Sequence, residues 1–157
     1  GLASADAGSV TVPTASVGTR TVAQTATDNV GLTTNRSCTT DVRYRFSCVV
    51  GLSSTSTTTW PRLLPLPVVF RLANAAGTPV GGAVASLDVA RVTGATVGAY
   101  QPATSALGLN SGNRFSYDAF LKVYSYALRT ASLGTGVWSL RITLDDGTTH
   151  AVRVSLR

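Results

Sequence analysis

The sequence contains no methionine and no glutamate, and it has a single histidine (His150) and a single lysine (Lys122) among 157 residues. Each shortage narrows the chemistry. Without glutamate, a carboxylate pair for glycoside hydrolysis would have to come from Asp6, Asp28, Asp41, Asp88, Asp118, Asp145 and Asp146. Asp145 and Asp146 are adjacent, so on a strand they would point to opposite faces, and the glycine after them reads as a turn. A nucleophile–histidine–acid relay would have to use His150, which stands on the final apolar alternation, where a packed or edge residue is the simpler reading. Asp28, Asn29 and Asp118 lack the ligand spacing of a calcium loop, and no further cysteine or histidine stands near Cys38 or Cys48 to complete a zinc set. No phosphate-cradling glycine loop is present. The residues predict no catalytic centre, no cofactor and no metal.

Charge is also scarce. Only 13% of residues are charged against 44% hydrophobic, so the solvent-facing surface must be built of Thr, Ser, Gly and Ala, which suit strand faces and turns. The net charge of +6 raises the question of nucleic acid. The twelve arginines are spread along the whole chain, however, with no basic run or basic helix face, so no nucleic-acid partner is expected. The basic balance still favours weak contact with acidic glycans or other anionic envelope polymers.

No apolar run approaches the ~20 residues of a membrane helix, because the longest candidate, Leu63 to Leu72, is broken by Pro65 and Pro67. A start at Gly1 with no initiator methionine fits a mature chain whose secretory signal has been removed, so a secreted, cell-surface location is expected. Cys38 and Cys48, with nine residues between them, read as a short local disulfide in an oxidising compartment, against the alternative of two free buried thiols.

What the chain has in abundance is two-residue alternation. Trp138, Leu140, Ile142 and Leu144 share one strand face, Asp146-Gly147 supplies a hairpin turn, and Val152, Val154 and Leu156 return. Tyr124, Tyr126 and Leu128 form another face, and Phe115 and Tyr117 a shorter one after the turn-rich Asn110 to Asn113. Val68, Phe70 and Leu72 run into a turn at Asn74 to Pro79, with Ala85, Leu87 and Val89 as a partner. Val42, Tyr44, Phe46, Cys48 and Val50 share a face, which would point Cys48 inward. Ser9 to Val12 and Arg20 to Thr27 read as extended, with Pro13 limiting the first to an edge or end. Ser53 to Thr59 is a linker, an exposed strand or an O-glycosylated tract, and Asn35-Arg36-Ser37 matches the N-glycosylation pattern. Short strands at regular spacing predict an all-β sandwich.

Residues 58–157 resemble the PxKF family of bacterial immunoglobulin-like surface domains. The likeness is carried by Leu66-Pro67-Val68-Val69-Phe70-Arg71-Leu72, the Ala75 to Val80 turn, Tyr117-Asp118, Tyr124-Ser125-Tyr126, Gly134 to Trp138, and Leu144 to His150. Val69 stands where the family has the lysine that names its motif, so no role of that lysine carries over. The resemblance implies an immunoglobulin-like antiparallel β-sandwich with extracellular display in adhesion or spacing. The expected organisation is a β-rich N-terminal segment over 1–57, carrying the disulfide, followed by the sandwich over 58–157.

Two further expectations concern partners. Self-association into a pilus-like filament, or contact with neighbouring surface-protein domains, would use an extended strand within Gly8 to Thr27, with Val10, Val12, Val17 and Val22 donated to a neighbour's sheet edge. The alternative is pairing within the same chain. The rival function is carbohydrate binding, for which Trp60, Tyr100, Phe120 and Tyr124 are candidate aromatic contacts, Trp60 and Tyr100 foremost. Trp138 alternates with apolar residues and reads as core.

Overall fold

A computed structural model describes residues 2–5, 10–48 and 56–157 of the chain. It divides into two compact units, Gly1–Tyr44 and Arg45–Arg157. The break falls earlier than the expected 57/58 boundary, because residues 45–48 pair with the second unit's sheet. Gly8, Ser9, Val50 and Ser53, which carry parts of the readings above, lie outside the described residues.

The first unit is a three-stranded antiparallel sheet in the order β1-β2-β3, from β1 (Leu2–Ala5), β2 (Gly18–Asp28) and β3 (Thr33–Val42). Asp28 fixes its hairpin: one carboxylate oxygen accepts the backbone N–H groups of Val30 and Leu32, both at 2.9 Å. Polar cross-strand pairs hold the ladder, such as Thr25 donating to Asn35 Oδ1 at 2.9 Å and Thr19 donating to Asp41 at 2.8 Å. None of this unit's described side chains is buried. Among the described residues it is a hydrogen-bonded ladder without a core.

The second unit is an all-β sandwich. One sheet has the order β10-β11-β6-β4, from β4 (Arg45–Cys48), β6 (Leu66–Ala73), β10 (Ser116–Asp118) and β11 (Val123–Leu128). The other has the order β5-β13-β12-β7-β8, from β5 (Thr58–Trp60), β7 (Ala85–Thr93), β8 (Thr96–Val97), β12 (Gly136–Leu144) and β13 (Thr149–Leu156); β9 (Gln101–Pro102) pairs with β7 as well. All described pairings are antiparallel except β5 with β13, which is parallel. Alternation decides which face turns inward: Leu66, Val68, Phe70 and Leu72 are buried, whereas Pro67 and Arg71 are exposed. Leu87, Leu140, Ile142, Val152, Val154 and Leu156 close the core from the opposite sheet. Of the ambiguous stretch Ser53 to Thr59, Thr58 and Thr59 are strand, within β5.

The expected disulfide is absent: Cys38 and Cys48 are both free and exposed. Cys38 lies opposite Val22 in the β2–β3 ladder, and Cys48 lies opposite Phe70 in the β4–β6 ladder. The alternation from Val42 to Cys48 is not one strand. It breaks after Val42 and resumes at Arg45 in the other unit, so the two thiols belong to different sheets, and Cys48, although on the face of Phe70, is exposed. Alkylation of the native protein without reductant is therefore expected to modify two cysteines, read as a mass increase of two adducts. Desolvation holds the Cys48 thiol above its ordinary value of 9.0, so its labelling should rise steeply only at strongly alkaline pH. A mass showing no free thiol would reinstate the bridge.

Candidate functional site

The aspartates are the first place to look for chemistry, and those described are structurally engaged. Asp118 Oδ1 accepts the N–H groups of Phe120 and Leu121, both at 2.9 Å, and caps the β10–β11 turn. Asp145 Oδ2 accepts Val84 N–H at 3.0 Å, and Asp146 Oδ1 accepts the Thr148 N–H at 2.9 Å and its hydroxyl at 2.6 Å. Asp41 is held below its ordinary value by hydrogen bonds from Thr19 and Arg43. Asp88 forms an ion pair with Arg141 at 3.0 Å and accepts from Asn113 at 3.2 Å. With Asp28 in its hairpin, these are turn caps and cross-strand ties.

His150 is part of an aromatic stack. Its ring lies 3.8 Å from that of Phe46 at 9°, and Phe46 lies 4.9 Å from Phe70. Burial lowers its pKa, with the negative charge of Asp146 opposing, so the ring is held neutral; Nε2 has no hydrogen-bond partner among the described residues. No three of the described histidine, cysteine and aspartate residues converge as metal ligands. No helix of the described residues is long and apolar enough to cross a membrane.

The two foremost glycan candidates are not brought together in one cavity. Trp60 ends β5 and donates its indole N–H to Leu64 carbonyl at 3.0 Å, tucking the ring over its own turn. Tyr100 donates or accepts a 2.8 Å hydrogen bond with Ser139, and the Arg141 guanidinium carbon covers its ring at 3.9 Å from the centroid. It lines a groove of about 340 Å³ with Ser56, Val97 and Arg153, from which Trp60 is absent. Tyr124 is buried, and Phe120 is 92% exposed on a turn. Val10, Val12 and Val22 do converge, lining a groove of about 240 Å³ with Cys38 along their own hairpin, whereas Val17 stands just before β2, outside it. Val22 is already paired within the chain.

Trp138 is the residue whose sequence reading differs most from its place. It is half-buried, and it lines a cleft of about 370 Å³ rather than the core. Arg91 lies directly opposite it on β7, with its guanidinium carbon 5.5 Å from the indole centroid. The indole N–H donates to Gly134 carbonyl at 2.8 Å. Gly134 and Gly136 make room for the cation: a Cβ at Gly136 would stand 2.7 Å from Arg91 Nη2, and one at Gly134 3.1 Å from Nη1. The Gly134-Thr135-Gly136 spacing before an aromatic strand was the available signal for such a close approach. No protein-family model matches the chain, and no curated protein matches it.

Proposed function

We propose that the chain is a non-enzymatic structural and adhesion module of a secreted, cell-surface bacterial protein, and that its 45–157 sandwich is immunoglobulin-like. The observation that carries this reading is the engagement of every described carboxylate in a turn or cross-strand tie, with the lone histidine stacked on Phe46. Such groups hold a scaffold; none is left poised beside a nucleophile. Strand order supports the finer assignment. The orders β10-β11-β6-β4 and β7-β12-β13 are those that strands D-E-B-A and C-F-G would have in an immunoglobulin sandwich. The motif resemblance to PxKF domains points the same way.

The N-terminal sheet is the natural contact with a neighbouring copy or surface domain. A three-stranded ladder that buries no described side chain gains stability only when a second layer covers it. β3 pairs β2 along Gly18 to Thr27, whereas β1 flanks β2 only along Ala26 to Asp28, so strand addition would use the segment carrying Val10, Val12, Val17 and Val22 or the outer edge of β3. The test is immunogold labelling of intact cells, joined to electron microscopy of natively released material. Surface labelling with regular arrays or multidomain particles is expected. Label confined to the cell interior would overturn the reading; dispersed single subunits on the surface would remove the polymer while leaving the module.

A further inference from the structure

We propose that the cleft at Trp138, lined by β7 and by residues 99–104 and 128–133, binds an acidic carbohydrate, with Arg91 and Arg129 receiving a uronate carboxylate. The inference is independent of whether the module polymerises. Arg91 and Arg129 both line the cleft, no aspartate does, and neither arginine has a carboxylate partner among the described residues. Two unneutralised guanidinium groups at one small concavity make a local positive potential, and a planar fork suits a planar carboxylate. The volume of about 370 Å³ suits the end of a short oligosaccharide rather than a folded partner.

The rest of the lining fits a sugar. Trp138 offers an apolar indole surface for the C–H face of a ring, and Gln101, Thr104 and Ser132 offer hydroxyl and amide groups to its alcohols. Arg91 is exposed, and its guanidinium lies beside the indole in the space that the two glycines leave. Nucleic acid fits less well: the cleft holds only two arginines, and the remaining cations are scattered along the sequence with no basic run.

The test uses the full chain with a Trp60→Phe background, so that indole fluorescence reports Trp138 alone, titrated with trigalacturonate by fluorescence and calorimetry. Binding with a dissociation constant on the order of 1 mM or tighter is expected, weakened by added salt. The methyl-esterified trisaccharide should bind at least about tenfold more weakly, since it keeps the rings and removes the charge. Arg129→Gln should weaken trigalacturonate by a similar factor. Arg129 makes no side-chain hydrogen bond or ion pair among the described residues, so this variant keeps the fold even if Arg91→Gln disturbs Trp138. Arg153→Gln, on the other groove, should change nothing. Equal binding of the ester, undiminished binding by both arginine variants, or no binding at all would overturn the proposal. Polyphosphate binding more tightly than trigalacturonate, with loss in the same variants, would overturn the carbohydrate assignment and leave an anion cleft.

Discussion

Phe70→Ala is expected to cost the 45–157 sandwich about 3–5 kcal/mol, the usual range for truncating a buried aromatic. Phe70 is fully buried on β6 and is the ring through which the core's aromatic residues meet. It stacks on Tyr124 at 5.1 Å and on Phe46 at 4.9 Å, and it meets Phe115 edge-on at 4.8 Å. Alanine would remove three ring contacts together and leave a cavity between β4, β6 and β11, which their paired backbones cannot collapse to fill. Thermal melting should fall by roughly 12–20 °C. Phe120→Ala is the matched control. That ring is 92% exposed, so its loss should change stability by no more than about 0.5 kcal/mol. Equal effects at the two positions would mean that the aromatic stack does not organise the core.

The same contrast explains what the sequence disclosed. Phe70 and Leu140 announce themselves because a strand with one buried face repeats every two residues, and that periodicity survives in a single chain. Turn chemistry is equally local: Asp146 with Gly147 lie in the loop between β12 and β13, where Gly147 takes φ +80°. The cysteines show where local reading fails. Val42 to Cys48 alternates like one strand, yet alternation carries no information about which sheet a segment joins. The break at residues 43–44 sends Arg45–Cys48 to β6, and with it the inferred disulfide disappears.

The cleft failed to show for a related reason. Arg91 and Trp138 are far apart in sequence and meet only through the β7–β12 register, which pairs them directly. Trp138 carries the same parity as Leu140 and Ile142, so periodicity assigns it to the core; its position at the strand's start, beside two glycines, leaves the ring half-covered instead. Trp60 and Tyr100 were conspicuous as aromatic residues outside strong alternation. The structure gives each an internal partner, the Leu64 carbonyl for one and Arg141 with Ser139 for the other. Exposure in the sequence's loops thus marked ties within the fold, and the available aromatic surface lay on a strand.

Tyr126 supplies the second large effect, and its signature is alkaline. Its ring is buried on β11, and its hydroxyl donates toward the carbonyls of Ala103 at 3.0 Å and Gly112 at 2.9 Å, tying two loops to the sheet. Burial away from water disfavours the phenolate and pushes its pKa up to about 12, against an ordinary value of 10.0. The unfolded chain therefore releases this proton first as pH rises. Between about pH 10 and 12 the unfolded state binds fewer protons than the native state, so stability falls through that window and is unaffected by this group below it. Tyr126→Phe keeps the ring but leaves the buried Ala103 carbonyl and that of Gly112, whose hydrogen bond is half-buried, without their shared donor, at a cost of roughly 1–3 kcal/mol at neutral pH. The variant should lose part of the alkaline decline, because the group responsible is gone. Phenolate absorbance followed against pH separates the contributions: the wild-type protein should show a late-titrating tyrosine near pH 12 that is missing from the variant. A variant as stable as wild type at pH 7, with an unchanged alkaline profile, would mean that the hydroxyl does not hold these loops.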